Sequence, residues 1–247
     1  MQIESFVLVG HSLGGYLSVA YGERFPERLH SGSLFLMSPV GVPHESEEVL
    51  ARRNKRRTSS WTSRFMYRFM EVVLPYMTFG VVLRSTPKFF ANSWLIPHYA
   101  NRFEGTVPDP AERLLIAEAG FYTARMPSSG ERCLNRILNP FAYARQPLVD
   151  RITQMLASQG QLQSCFFYYG DRDWMDPAGG LAVDGACVEH ASATVEVYRV
   201  RASGHMILLE NPVEFVHGVV RHLLPTLRLP PDAPFPQALC KRGPRSS

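Results

Sequence analysis

Phe6-Val7-Leu8-Val9-Gly10-His11-Ser12-Leu13-Gly14-Gly15 is the stretch that decides the fold. Four apolar residues in a row, Phe6 to Val9, read as a strand buried on both faces, as a parallel sheet requires. The strand gives way at Gly10, and a helix is expected from Leu13 to Phe25, ended by Pro26. Between the two, Gly10-His11-Ser12-Leu13-Gly14 fits G-x-S-x-G. In that setting the pattern describes a sharp strand-to-helix turn that exposes one serine. Small residues two before and two after Ser12, Gly10 and Gly14, are expected to relieve crowding in the turn, and Gly15 to let the helix pack close to the sheet.

Outward from this turn the pattern repeats. Leu34-Phe35-Leu36-Met37 reads as a second strand closed by Ser38-Pro39, Cys165 to Tyr169 as a third closed by Gly170, and Val195 to Val200 as a fourth followed by Ser203-Gly204-His205. Asn211-Pro212-Val213-Glu214 has the N-cap, first-turn proline and acidic third position of a helix start. Val216, Val219, Val220, Leu223 and Leu224 then recur at helical spacing, and Pro225 is expected to limit the helix. Strands alternating with helices predict an α/β fold with a parallel sheet.

A long insertion, roughly 44–140, separates the second and third strands and reads as largely helical. Trp61, Phe65, Met66, Phe69, Met70, Leu74, Met77 and Phe79 fall on one helical face. Two uses stay open for that face: packing on the core, or an acyl-chain pocket or membrane-dipping surface. The main domain is expected over 1–228. The tail over 229–247 carries five prolines (Pro230, Pro231, Pro234, Pro236, Pro244) and is expected to be disordered.

Composition bounds the function classes. Of 247 residues, 45% are hydrophobic and 19% charged, which excludes wholesale disorder. No charge-free apolar stretch nears the roughly 20 residues of a membrane helix. Lys+Arg minus Asp+Glu is 26 − 22 = +4, and five positive charges stand in one run: Arg52, Arg53, Lys55, Arg56 and Arg57. The run is either a solvated face or a patch that attracts acidic phospholipid headgroups. No helix-turn-helix, zinc or aromatic-basic pattern accompanies it, so no nucleic-acid partner is expected. Cys133, Cys165, Cys187 and Cys240 are scattered, which indicates neither a disulfide framework nor a zinc site and fits a reducing compartment.

A serine nucleophile needs a base, and the base needs a positioned carboxylate. For a strand–turn–helix serine the chain order is Ser, acid, His. His205 follows the last strand and is the expected base. Tyr169-Gly170-Asp171-Arg172-Asp173-Trp174-Met175-Asp176-Pro177 offers three carboxylates in one loop. Asp171 is expected to cap a turn, and His11 to support packing. The backbone N–H of Leu13 supplies half of an oxyanion hole. This chemistry implies no metal and no organic cofactor.

At Gly10–Gly15, Tyr169–Asp176, Gly204–Pro212 and Pro127-Ser128-Ser129-Gly130-Glu131, the chain resembles a subfamily of α/β-hydrolases. That subfamily includes the adipose-lipase co-activator, its lysophospholipase and N-acyl-phospholipid hydrolase relatives, and the fungal cardiolipin lipases. Asn139-Pro140-Phe141-Ala142-Tyr143-Ala144-Arg145-Gln146-Pro147-Leu148 is similar to its link from lid back to sheet. The resemblance spans most of residues 1–225.

It implies an α/β-hydrolase fold with a large helical lid. In many α/β-hydrolases the acid stands three residues after the strand-ending glycine with a proline four later, which selects Asp173 with Pro177. In the co-activator branch it stands six residues after the glycine, which selects Asp176. Members with a serine at the turn hydrolyse phospholipids, whereas the co-activator has an asparagine there and is not a lipase. Ser12 therefore implies a phospholipase-like or lysophospholipase-like hydrolase of lipid esters.

A regulator of another lipase and a lysophosphatidic acid acyltransferase are the alternatives. Acyltransfer is linked in the subfamily to an H-x4-D pattern. Here His205 to Glu210 reads H-x4-E, and Glu210 is read as part of the approach to the last helix. The resemblance also implies an intracellular protein, in the mitochondrion or cytosol or at a lipid-droplet or membrane surface. The family fold places several strands and a His-Gly oxyanion loop before the serine turn. The expectation is therefore a partial domain missing its N-terminal strands, which folds poorly and turns over little in isolation.

Overall fold

The computed structural model describes residues 3–47, 79–105, 107–127, 130–139, 143–158, 161–187 and 193–227. In chain order the elements are β1 (Phe6–His11), α1 (Leu13–Arg24), β2 (Leu29–Met37), α2 (Phe79–Ser85), α3 (Lys88–Phe90), a π-helical turn (Ala91–Leu95), α4 (Ile96–Ala100), α5 (Pro110–Ala124), α6 (Leu134–Ile137), α7 (Leu148–Ala157), β3 (Ser164–Gly170), α8 (Ala178–Cys187), β4 (Thr194–Val200), α9 (Ile207–Glu210) and α10 (Pro212–Thr226). They form two compact units, residues 1–43 with 147–247, and residues 44–146. Among the described residues no helix is long and apolar enough to cross a membrane.

The first unit is built on a four-stranded sheet, all parallel, in the order β1-β2-β3-β4. β2 begins at Leu29, five residues before the apolar run that announces it. Its first half, Leu29-His30-Ser31-Gly32-Ser33, has too few apolar residues to read as a strand. A register shift between Phe6 and Leu8 accompanies that half. β3 is the most deeply buried strand, with Cys165 through Gly170 all buried.

Alternation along β2 and β3 sends side chains to two faces. Phe35, Met37, Phe166 and Tyr168 pack with Val200, Ile207 and Phe215 under α10. On the other face, Gly22 of α1 lies against Leu29, Leu34 and Met155. Gly180 of α8 lies against Phe167 and Tyr169, where an added Cβ would stand 3.1 Å from the Phe167 ring. Helices on both faces explain why these strands read as unbroken apolar runs. Each fully buried Leu, Ile or Phe here contributes about 1.5–3 kcal/mol relative to exposure.

α10 starts as its sequence predicts: the Asn211 side chain accepts the Glu214 N–H at 3.2 Å. It ends at Thr226, one residue past Pro225. α1 likewise ends at Arg24, one residue short of Phe25.

In the second unit Leu83, Ala91, Ile96, Ala100, Ala117 and Phe121 form an apolar cluster. Arg125 ties it off, donating to the carbonyls of Leu83 and Thr86 at 2.8 and 2.6 Å. An apolar cavity of about 180 Å³ lies within this cluster. The basic run Arg52–Arg57, the apolar face from Trp61 to Met77 and the tail over 229–247 lie outside the described residues.

Candidate active site

Ser12 sits between β1 and α1 with φ 55° and ψ −118°. A non-glycine residue in that region stores strain of about 1–3 kcal/mol, held only because its surroundings over-determine it. The Ser12 N–H donates to the Met37 carbonyl at 2.9 Å, and its own carbonyl accepts the N–H groups of Gly15 and Val40 at 3.0 and 3.1 Å. A Cβ on Gly10 would overlap Ser18 Oγ and the Gly14 carbonyl, and one on Gly15 would stand 2.8 Å from Pro39 Cβ. Gly14 differs from its expected role: a Cβ there would meet nothing among the described residues within 4 Å. The crowding is thus carried by Gly10 and Gly15.

The strained turn presents the serine hydroxyl to an imidazole. Ser12 Oγ lies 3.0 Å from His205 Nε2, and His205 Nδ1 lies 3.0 Å from Asp173 Oδ1. The same Oδ1 accepts the Met175 N–H at 3.0 Å. The Asp173 side chain is 1% exposed and the His205 side chain 14%. Burial alone pushes the Asp173 carboxyl up. The hydrogen bonds from His205 and the Met175 N–H outweigh it and hold the group below the usual carboxylate range. Asp173 is therefore an anion that orients an Nδ1–H tautomer, which leaves the Nε2 lone pair for the serine O–H. The Leu13 N–H opens α1, where no intrahelical acceptor is available to it.

The competing carboxylates face elsewhere. Asp176 Oδ1 accepts the Ala178 N–H at 2.9 Å and caps α8. Asp171 accepts the N–H groups of Ala202 and Ser203 at 2.9 and 3.1 Å. These amides hold its carboxyl below the ordinary value, the Ala202 N–H most strongly. Trp174 is exposed and leans on the His205 ring, with centroids 5.0 Å apart.

A sequence profile of the alpha/beta hydrolase family matches residues 2–218. The chain belongs to the alpha/beta hydrolase family. It is 27% identical over 227 residues to an Arabidopsis thaliana protein named 1-acylglycerol-3-phosphate O-acyltransferase, covering 89% of this chain and 49% of that one. It is 24% identical over 215 residues to the human (lyso)-N-acylphosphatidylethanolamine lipase, covering 86% and 56% respectively. The crystal structure of a bacterial membrane phospholipase A superposes with a TM-score of 0.45 at 18% identity, covering 92% of this chain and 57% of that one. The chain spans about half the length of the curated relatives it matches.

Three groups at this site escape a motif reading. His11 does more than pack: its Nε2–H donates to the His205 carbonyl at 2.8 Å, and the two rings lie 4.9 Å apart. Burial lowers the His11 pKa and keeps that ring neutral. Glu210 is the last residue of α9, and its carboxylate accepts the Gly204 and Met206 N–H groups. Ser38, at φ 43° and fully buried, faces Asp173 outside hydrogen-bonding geometry. For Glu210 a signal exists in the four-residue return from a helix N-cap to an acid; for Ser38 there is none.

Proposed function

We propose that the chain is the catalytic portion of a serine hydrolase acting on lipid esters, phospholipase-like or lysophospholipase-like, through an acyl-enzyme at Ser12. One observation carries the reading: Ser12 Oγ, His205 and Asp173 are joined by two 3.0 Å contacts in the order that nucleophile activation needs. Family membership and the lipase name of the human relative support it.

In the first half-reaction Ser12 Oγ attacks the ester carbonyl while His205 Nε2 takes the hydroxyl proton. Asp173 stabilises the imidazolium so formed. The Leu13 N–H faces the carbonyl oxygen as it becomes negative, a donor typically worth about 3 kcal/mol. His205 then returns the proton to the leaving alcohol, and the acyl group remains on Ser12. In the second half-reaction His205 activates water, and fatty acid and free serine are released. The Arg52–Arg57 run suits this chemistry to an anionic phospholipid at a membrane or lipid-droplet surface.

The name of the Arabidopsis relative favours a second reading. Acyl-enzyme attacked by the hydroxyl of a lysophosphatidic acid instead of water gives acyltransfer with the same residues. A fluorophosphonate probe with wild-type and Ser12→Ala chains tests the shared first step. Labelling of wild type alone is expected. Absence of wild-type labelling points to a regulator without turnover. Fatty acid release from phospholipid without added acyl-CoA marks the hydrolase, and acyl-CoA-dependent product marks the transferase.

A further inference from the structure

We propose that Glu210 is a positioning residue for His205: a two-point clamp on the backbone either side of the imidazole. The proposal rests on the reading of His205 as the base for Ser12. Glu210 Oε2 accepts the Gly204 N–H at 2.7 Å and Oε1 accepts the Met206 N–H at 3.2 Å. These two amides flank residue 205. The His205 carbonyl is fixed as well, by the Nε2–H of His11 at 2.8 Å. The peptide units around the base are thus held by side chains from two directions.

Such a clamp answers a need of the local backbone. Between the end of β4 at Val200 and the start of α9 at Ile207 neither a strand ladder nor a helix supplies partners. Ala202 has φ 50°, so the chain turns sharply there. Carboxylate acceptors make stronger bonds to N–H groups than neutral ones, and a two-oxygen contact fixes angle as well as distance. Gly204 leaves room for the contact: an added Cβ would stand 3.2 Å from both Glu210 oxygens, so the carboxylate would have to shift by a few tenths of an ångström.

An ordinary helix cap accounts for only half of this. In a capping box an acid near the helix start accepts the N-cap N–H. Glu210 does so for Met206 and also reaches Gly204, two residues further back. α9 is a single turn of four residues, so a cap has little helix to stabilise. The second bond serves the loop. It also gives the H-x4-E spacing a physical reading. The carboxylate five residues after His205 is engaged by backbone amides, so the spacing is loop geometry and not a proton-transfer device of its own.

The test compares full-length wild type with Glu210→Gln, Glu210→Asp and Gly204→Ala. The first readout is the downfield proton resonance of His205 Nδ1–H shared with Asp173, assigned by its loss in Asp173→Asn. The second is the rate of fluorophosphonate labelling at Ser12, with thermal melting as a check on folding. A glutamine accepts one of the two amides but points its own NH₂ at the other. Glu210→Gln is therefore expected to stay folded, to broaden or lose the resonance, and to label about 10²-fold more slowly, the scale of a roughly 1 Å misplacement. Glu210→Asp should recover part of both signals, and Gly204→Ala should reproduce the loss with the carboxylate intact. A folded Glu210→Gln with an unshifted resonance and wild-type labelling overturns the proposal. Should Glu210→Gln not fold, Gly204→Ala decides by the same two readouts. A wild-type chain that shows the resonance yet never labels sinks the hydrolase reading instead, and the NMR comparison alone then judges the clamp.

Discussion

Replacing Asp173 and Asp176 in turn by asparagine separates chemistry from scaffolding within one loop. Asp173 is 1% exposed, and its Oδ1 receives both the His205 ring N–H and the Met175 N–H. An asparagine there can keep a similar shape but carries no charge to stabilise the imidazolium, and its amide permits the wrong tautomer. Loss of the charge behind a buried base of this kind costs about 10⁴ in kcat. At 1.36 kcal/mol per decade this is about 5.4 kcal/mol of transition-state stabilisation. Asp176 Oδ1 accepts the Ala178 N–H as the cap of α8, a role asparagine fills equally well. Asp176→Asn is expected to keep stability within about 0.5 kcal/mol and activity within about twofold, since 1.36 kcal/mol would be needed for a decade. The assay is kcat on a soluble ester and the fluorophosphonate labelling rate, with urea unfolding alongside. Asp176→Asn falling as far as Asp173→Asn, or Asp173→Asn staying within a decade of wild type, would refute the assignment.

Asp173 also sets an acid-side pH dependence. Its folded pKa lies below the unfolded value of about 3.9, so its contribution is complete above that pH and is lost as pH falls through the folded value. The stability gap between wild type and Asp173→Asn, read as urea midpoints, should close as pH drops below about 4; a gap that widens there contradicts the sign. Tyr169 is fully buried, and its hydroxyl has no hydrogen-bond partner among the described residues. Tyr169→Phe should leave stability unchanged or raise it by up to about 1 kcal/mol, whereas a loss above about 2 kcal/mol would show that the hydroxyl is satisfied. Asn211 caps α10 and its amide donates to the Arg201 carbonyl at 2.8 Å. Asn211→Ala should cost about 1–2 kcal/mol in urea unfolding, and a neutral result would mean that the cap does not form.

Much of this arrangement is legible in the residues. The apolar run Phe6–Val9 ending in a glycine-flanked serine, three more apolar runs, and a histidine after the last of them suffice to draw a parallel sheet with one reactive end. Local chemistry writes those features locally: the buried runs of β2 and β3, a helix cap. The burial on both faces read for Phe6–Val9 does not hold, because β1 is the outer strand of the described sheet and Val9 is 44% exposed. What stays illegible depends on partners far away in the chain. Asp171, Asp173 and Asp176 are chemically equivalent on paper, and only the approach of residues 202–205, some thirty positions later, assigns their roles. His222 reads as one more histidine on a helix, yet it is buried, 2.7 Å from the Tyr168 hydroxyl and 2.9 Å from Glu196. The crowding at Gly15 comes from Pro39, which no spacing rule connects to it.

The loop that carries His205 is held by carboxylates, and their burial separates what each one does. Asp171, Glu210 and Glu214 all accept backbone N–H groups between Arg201 and Met206. Asp173 alone of this group meets a ring nitrogen of His205. The Asp171 side chain is 39% exposed and that of Glu214 18%. At that exposure solvent screens the Asp171 charge from the imidazole, and Glu214 faces the Arg201 guanidinium, whereas nothing comparable screens Asp173. Neutralising an amide-bound carboxylate therefore acts on where His205 sits, and neutralising Asp173 acts on what charge His205 can carry. The first kind of change should respond to conservative restoration of shape, and the second only to restoration of charge. That difference follows from depth of burial and from the atom each carboxylate faces, since residue type is nearly the same throughout.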